Sequence, residues 1–95
     1  MIESFADAAT ADVFRGRTSR AAQRIARDVW RTAQRKLKAL DVAVRLQDLA
    51  IPARDRLERL RSDPARCGFP IDDRYRITFR WEQGHAYEVR VEDHY

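Results

Sequence analysis

The 95-residue sequence has little cysteine, glycine or proline, and these shortages narrow the class of protein. A single cysteine, Cys67, excludes a disulfide framework within the chain and any metal site built from several cysteines. Three glycines and three prolines leave no visible linker or low-complexity stretch, so we expect one compact domain over residues 1–95. Hydrophobic runs are also short, because none approaches the roughly 18 residues that a membrane span needs.

A targeting signal is also missing from the start of the chain. Residues 1–7 contain no basic stretch followed by an apolar one, which is the pattern of a secretory signal peptide. We therefore expect a soluble protein that stays in the cytoplasm and makes no membrane contact.

Charged residues, by contrast, are abundant. They make up 36% of the sequence and give a formal net charge of +4, while 44% of the residues are hydrophobic and suffice for one modest core. An excess of basic residues favours an anionic partner, such as nucleic acid, a ribosome, an acidic protein or a membrane surface. The alternative is a soluble basic protein whose charge serves no particular partner.

The clearest helical pattern covers residues 20–40, with Thr18 or Ser19 as its N-cap. Apolar residues recur there every three or four positions and predict one buried face. Basic residues recur at the same spacing on the opposite face, and Asp28 is the only acidic residue between positions 15 and 40. Repeated like charges at this spacing are unfavourable, which favours an anionic binding surface over a merely solvated face. This basic stripe, a predicted RNA- or ribosome-binding surface, consists of Arg20, Arg24, Arg27, Arg31, Arg35 and Lys38.

The C-terminal third alternates between apolar and polar residues and predicts two strands. Residues 74–81 place apolar and aromatic side chains on one face and Arg74, Arg76, Thr78 and Arg80 on the other. After a turn at residues 82–85, residues 86–92 alternate again, with Tyr87, Val89 and Val91 pointing inward. The two strands form an antiparallel hairpin, and its arginine face stays open if the helices cover the apolar face.

Shorter elements complete the predicted α+β fold, in which helices precede an antiparallel sheet. We expect a first strand within residues 1–7, a helix at residues 8–14 that stops at Gly16, and a helical turn at 41–50 that ends at Pro52. A further strand is predicted at residues 56–61. Pro64 and Gly68 should bracket the turn that follows it.

Several segments, taken in order, carry a family resemblance: residues 1–5, 35–41 with 46–49, 52–60, 73–81, 84–87 and 92–95. No single segment is specific, but their order and spacing together resemble the HigB (host inhibition of growth) branch of the RelE/ParE toxin superfamily. The resemblance implies a β-sheet with two N-terminal helices packed on one side. It also implies metal-independent cleavage of mRNA in the ribosomal decoding site, with no cofactor. The implied partner is a HigA-like helix-turn-helix antitoxin. The resemblance implies that the toxin binds operator DNA only through this antitoxin.

Cleavage of RNA without a metal uses the 2′-hydroxyl as nucleophile and needs a base, an acid and cations on the phosphate. Arg76 matches the family arginine that contacts the scissile phosphate; the alternative is a cross-strand ion pair with Glu88 or Glu92. Arg61 stands where the family usually has a catalytic lysine. An arginine there keeps the positive charge and can stabilise the phosphate, but it cannot act as the acid because it does not give up its proton. Arg74 and Arg80 share the open face and are the remaining predicted RNA contacts.

The candidate acid and base groups lie at the C-terminus and in the strand predicted at residues 56–61. The ending Asp93-His94-Tyr95 resembles the family ending Asp-Tyr-His with its last two residues exchanged. His94 could act as base or acid, and Tyr95 could orient or stack on a base, unless the end of the chain is simply frayed. Glu58 stands where members carry histidine or glutamate, and is either a base or a surface residue. No acidic residues have metal-like spacing, so no metal site is predicted.

One departure from the family concerns the segment at residues 67–71, where members usually carry Ile-Arg-Ile. Here Pro70 replaces the arginine that helps to hold RNA, and Cys67 replaces an aromatic residue. Proline removes a ladder donor, so we expect a local break in the sheet, one missing phosphate contact and weakened cleavage. The alternative function is therefore a binding protein of the same fold, either a ParE-like gyrase poison or a co-repressor that acts with its antitoxin.

Overall fold

The computed structural model describes residues 1–49 and 57–93. Helices α1 (Ala8–Phe14) and α2 (Trp30–Val42) are separated by 3-10 turns at Ala21–Arg24 and Arg27–Val29, and a third 3-10 turn covers Leu46–Leu49. Strands β1 (Glu58–Arg59), β2 (Arg66–Pro70), β3 (Tyr75–Glu82) and β4 (His85–Asp93) follow. They form an antiparallel sheet in the order β1-β2-β3-β4. The predicted α+β class, with two helices packed on a mainly antiparallel sheet, is confirmed.

The core lies between the helices and one face of the sheet. The helical layer contributes Ile25, Leu37 and Leu40, all fully buried. The sheet contributes alternate residues of β3 and β4, which confirms the predicted inward face of β3. Those without solvent exposure are Ile77, Phe79, Ala86, Val89 and Val91. Among residues 1–49 and 57–93, no helix combines the length and apolar character needed to cross a membrane.

The β3–β4 hairpin agrees with its predicted bounds to within a residue at each end. Its two turn residues, Gln83 and Gly84, have φ values of 49° and 82°. Positive φ at both central positions is the requirement of a type I′ turn, whose twist matches that of the flanking strands.

A β-bulge in β4 overturns one prediction. The register passes from Thr78 opposite Arg90 to Arg80 opposite Tyr87, and Glu88 adopts a φ of 52°. The extra residue changes the phase of the inward positions. Tyr87, predicted to point inward, is therefore only half-buried, and the guanidinium of Arg80 lies 5.2 Å from its ring centre.

The first strand predicted within residues 1–7 is reduced to two isolated parallel bridges to β4. Ile2 pairs with Ala86 and Phe5 pairs with Val89. Between them the bulge interrupts the ladder, and the N–H of Glu88 donates instead to the hydroxyl of Ser4 at 2.8 Å.

The single helix predicted at residues 20–40 is wrong, because the backbone is extended in its middle. Ile25 and Ala26 have ψ values of 130° and 132°. The break turns the Ile25 side chain into the core, where it is 1% exposed. Two hydrogen bonds hold the break. The Ala26 N–H donates to the Tyr75 hydroxyl, 49 residues away, at 3.1 Å, and the nearby Trp30 Nε1 donates to the Ile25 carbonyl at 2.8 Å. The N-cap of the first 3-10 turn is Arg20, not Ser19, although the Ser19 hydroxyl accepts from the Ala22 N–H at 3.1 Å.

The predictions between the two halves of the chain need correction too. Gly68 does not bracket a turn but lies within β2, where a Cβ atom would come 2.8 Å from the Ile77 carbonyl oxygen. Glycine therefore allows β2 and β3 to approach closely. The strand predicted at 56–61 is observed only at Glu58–Arg59. The break expected in the sheet near Pro70 is wrong, because Pro70 pairs with Arg76 as the last residue of β2, the strand end that proline tolerates. Residues 50–56, including the predicted stop at Pro52, lie outside the described residues.

Helix α1 is fastened to β4 by a buried hydrogen bond, in which the Thr10 hydroxyl accepts from the Val91 N–H at 2.9 Å. We expect Thr10→Val to lower the free energy of unfolding by about 1–3 kcal/mol, because the isosteric change leaves a buried N–H without a partner. Urea denaturation measures the loss. Thr18→Val, at an exposed threonine, is the control and should change little; an equal effect of both variants would contradict the assignment.

Asp7, the N-cap of α1, also connects α1 to β4, through an ion pair with Arg90. It caps α1 by accepting from the Thr10 N–H at 2.8 Å, and its other oxygen lies 2.8 Å from Arg24 Nη2 and 3.2 Å from Arg90 Nε. Burial raises the pKa of Asp7, but the hydrogen bonds from Thr10 and the guanidiniums of Arg24 and Arg90 outweigh it and hold the pKa below its ordinary value.

A lowered folded-state pKa means that Asp7 stabilises the fold above its unfolded-state pKa of about 4 and loses this effect as the pH falls further. We expect Asp7→Asn to lower the urea midpoint at pH 7. The difference from the unmodified protein should shrink as the pH falls below about 4. A difference that is constant between pH 7 and pH 3 would show that the charge of Asp7 contributes nothing.

Candidate nucleic-acid interface

The face of the sheet that the helices leave uncovered carries a cleft of about 500 Å³. One wall is the segment between β1 and β2, and another is the N-terminal segment that runs beside β4. The floor consists of side chains from β2, β3 and β4. It includes Arg76 of the arginine face that was predicted to stay open. The lining residues are Phe5, Ala6, Leu60, Ser62, Asp63, Arg66, Arg76, Thr78, Glu88, Arg90 and Glu92.

Arg76 lies on the floor of this cleft, in β3. The antiparallel register places it directly opposite Glu92, and its Nε lies 3.1 Å from Glu92 Oε1. Its side chain is 29% exposed and therefore reaches solvent within the cleft. The ion pair considered as an alternative for Arg76 is present, but it occupies only one edge of the guanidinium.

Arg66 is a cleft residue that the sequence analysis missed. Only 17% of its side chain is exposed, and Nη2 donates to the Thr78 hydroxyl at 3.0 Å and to the Glu88 carbonyl at 2.8 Å. It thereby links β2, β3 and the bulge of β4. In a strand that begins at Arg66, every second residue, Arg66, Gly68 and Pro70, lies on the open face. Because a turn was predicted up to Gly68, Arg66 was not recognised as part of that strand.

Arg90 is the second missed arginine. It lies on β4 next to the cleft's other cations, with Nε 3.2 Å from Asp7 and Nη1 3.5 Å from Glu92 Oε2. In the alternating pattern of β4, Arg90 lies between the inward-facing Val89 and Val91. This position already placed it on the open face and could have identified it. No family position directed attention to it.

The charges that line the cleft are balanced. Among the lining residues that the structure describes, Arg66, Arg76 and Arg90 face Asp63, Glu88 and Glu92. The net positive charge of the chain is therefore not concentrated in this cleft. A phosphate that binds here must compete with carboxylates for the guanidinium groups.

Arg74, Arg80 and Asp93 lie around the cleft on the open face or at its edge. Arg74 Nε lies 3.1 Å from Asp93 at the end of β4, and its guanidinium lies 5.1 Å from the Tyr75 ring centre. Arg80 lies 3.3 Å from Glu82 and 3.1 Å from Glu88. Both predicted RNA contacts, Arg74 and Arg80, thus already have an acidic neighbour.

Two other predicted site residues are placed differently. Arg61 is exposed in the turn after β1, between Leu60 and Ser62 of the cleft wall. Glu58 lines a neighbouring cavity of about 310 Å³ together with Leu46, Leu57 and Trp81, and Arg66 lines both this cavity and the cleft. The structure does not bring Glu58 together with Arg76. His94 and Tyr95 lie outside the described residues, and their roles stay predictions.

The basic stripe is discontinuous because the predicted helix is broken. Arg24 turns toward the sheet, where it pairs with Asp7 and donates to the Val91 carbonyl at 2.7 Å. Arg27 stacks on Trp30, with its guanidinium 5.4 Å from the ring centre. The members with exposed side chains outside these contacts are Arg20, Arg31, Arg35 and Lys38.

Neither a metal cluster nor a reactive thiol is evident in the described part of the chain. No three histidine, cysteine or acidic side chains there are grouped to hold a metal ion. Cys67 is free and buried, and burial raises the pKa of its thiol. A buried thiol of raised pKa is a packing residue rather than a nucleophile.

Comparison with known proteins agrees with this fold and with the resemblance found in the sequence. Residues 3–94 match the family described as the RelE-like toxin of type II toxin-antitoxin system HigB. Toxin HigB-1 of Vibrio cholerae serotype O1 (strain ATCC 39315 / El Tor Inaba N16961) is 34% identical over 61 residues. That alignment covers 63% of this chain and 64%, just under two thirds, of the Vibrio protein's own length. Since the family match extends over nearly the whole sequence, the chain belongs to the HigB family of RelE-like type II toxins.

Proposed function

We propose that this toxin inhibits translation by cutting mRNA on the ribosome, without a metal or other cofactor. The observation that supports it most directly is the position of Arg76 in an uncovered cleft, beside Arg66 and Arg90. An arginine fork can hold two oxygens of one phosphate and stays charged while negative charge develops during cleavage. Membership of the HigB family supports the same reaction.

The charge balance of the cleft supports dependence on the ribosome. Free RNA gains little from a cleft whose arginines are already paired, so its affinity there should be low. A ribosome holds mRNA in place and offers rRNA phosphates to other basic groups, and linked weak contacts raise the effective concentration at the cleft. The exposed residues Arg31, Arg35 and Lys38 of α2 are suited to this second contact.

We further propose a HigA-like helix-turn-helix antitoxin as the partner that neutralises the toxin, with operator DNA bound only through that antitoxin. A cytoplasmic location follows from a ribosomal target. Two observations favour a second candidate, the non-catalytic co-repressor: the balanced cleft and Pro70, which ends β2 where the family carries an RNA-holding arginine.

Mapping mRNA 5′ ends in cells that express the protein tests the proposal. Cuts that recur at a fixed position within codons support cleavage on the ribosome. Intact mRNA with stalled replication would instead indicate a gyrase poison, and neither effect would indicate the co-repressor. A purified translation system with and without ribosomes then decides whether cleavage requires the ribosome.

A further inference from the structure

Glu92 is the most firmly positioned carboxylate within the cleft. Its Oε1 lies 3.1 Å from Arg76 Nε, and its Oε2 lies 3.5 Å from Arg90 Nη1. Its side chain is 20% exposed, whereas that of Glu88 in the same cleft is 57% exposed. A guanidinium on each oxygen therefore fixes a carboxylate beside the arginine proposed to bind phosphate.

We propose that Glu92 is the general base that removes the proton of the attacking 2′-hydroxyl, an inference that rests on the proposed ribonuclease function. The base candidates taken from the sequence did not include it. Glu58 lines another cavity, and His94 belongs to the end of the chain outside the described residues. Glu92 combines the proton-accepting group and the position next to Arg76 that the reaction needs.

The geometry of Arg76 explains how substrate and base would meet. The bond to Glu92 uses Nε, and among the described residues the two terminal nitrogens of Arg76 have no hydrogen-bond partner. A phosphate held by those nitrogens lies beside the Arg76–Glu92 pair, and in the proposed orientation the ribose on its 3′-oxygen faces Glu92. The 2′-hydroxyl of that ribose is the nucleophile.

The reaction can then be written with its protons and bonds balanced. Glu92 takes the proton of the 2′-hydroxyl, and the 2′-oxygen forms a bond to phosphorus while the bond from phosphorus to the 5′-oxygen breaks. The leaving 5′-oxygen takes a proton from water. Glu92 then returns its proton to the hydroxide that remains. The products are a 2′,3′-cyclic phosphate and a 5′-hydroxyl.

A purely electrostatic role for Glu92 makes the opposite prediction. If Glu92 only neutralises Arg76 and competes with phosphate, its removal frees the arginine, and RNA should bind and react better. If Glu92 is the base, Glu92→Gln keeps a hydrogen-bond acceptor for Arg76 but can no longer take the proton. The two roles therefore differ in the sign of the effect on the rate.

The test is single-turnover cleavage of mRNA on programmed ribosomes by the full chain. We expect Glu92→Gln to cleave about 100-fold more slowly or worse. It should bind at least as well to the same complex when the mRNA carries a 2′-deoxyribose at the cleavage site. Glu92→Asp keeps the carboxylate and should retain more of the rate than Glu92→Gln. Glu82→Gln is the matched control, because Glu82 pairs with Arg80 outside the cleft lining, and its rate should stay within about twofold.

Three outcomes would overturn the assignment. The first is a Glu92→Gln variant that cleaves as fast as the unmodified protein or faster. The second is an equal loss in the Gln and Asp variants, and the third is a loss accompanied by failure to bind the deoxy substrate. If the unmodified protein leaves mRNA intact on ribosomes, the proposed function itself fails and the role of Glu92 falls with it.

Discussion

Replacing Arg76 with alanine is expected to slow mRNA cleavage on the ribosome by about 10²–10³-fold, which is the usual effect of removing one preorganised group that stabilises charge in the transition state. Arg76 reaches the cleft from the middle of β3, with the antiparallel pairing to Glu92 behind it. The loss should appear mainly in the single-turnover rate. Binding of the deoxy substrate should fall less, because the ribosome contacts proposed for other basic groups remain.

Two further variants separate the effect of the Arg76 geometry from that of its charge and from a general loss of positive charge. Arg76→Lys keeps the charge but loses the two-pronged geometry, so its rate should lie between those of the unmodified protein and Arg76→Ala. Arg45→Ala removes a guanidinium that is 71% exposed and is not among the residues that line the cleft, and it should leave cleavage unchanged. The fold should survive in all three variants, since a partly exposed ion pair contributes about 0–1 kcal/mol. Arg76→Ala with an unmodified rate would contradict the phosphate-binding role.

Replacing Phe79 with alanine is expected to lower the free energy of unfolding by about 3–5 kcal/mol. Phe79 is fully buried in β3 and makes edge-on contacts with Phe69 and Trp81, with ring centres 6.2 Å away in each case. Its loss removes apolar area from the core and leaves a cavity among side chains that cannot close over it. For a domain with a typical stability of about 5–15 kcal/mol, the melting temperature should fall by more than 10 °C.

Thermal unfolding followed by circular dichroism measures this loss, and the chain offers a control. Val42 and Val44 are 76% and 73% exposed, so Val44→Ala should change the stability by less than about 0.5 kcal/mol. Phe79→Ala should also be less toxic in cells, because a larger fraction of the protein is unfolded there. If Phe79→Ala melts within a few degrees of the unmodified protein, Phe79 does not anchor the core as the burial indicates.

The predicted catalytic residues do not form one constellation among the described residues. Arg76 enters the cleft, Arg61 stands at its rim, and Glu58 lies on another cavity. Glu92 and Arg66, to which the family resemblance assigned no catalytic role, line the cleft with Arg76 instead. Correspondence with family positions therefore pointed to Arg76, which does enter the cleft, whereas the charged groups around it come from other positions of the same sheet.

The sequence by itself determined the elements whose burial pattern is local. Alternation along β3 predicted its inward and outward faces, the apolar steps of α2 predicted its buried side, and Gly16 marked the end of α1. These predictions succeed because a strand or helix on one core repeats its exposure every two residues or every three to four. The family resemblance also came from local segments in a recognisable order.

Only the tertiary structure decided the features that depend on partners distant in the chain. The helix breaks at Ile25 because the core receives that side chain and the Tyr75 hydroxyl, 49 residues away, binds the freed Ala26 N–H. The bulge at Glu88 moves Tyr87 to the open face. Few glycines, prolines and cysteines predicted one compact domain, but they said nothing of these breaks. Both arise because a long-range contact outweighs a local preference of a few tenths of a kcal/mol per residue.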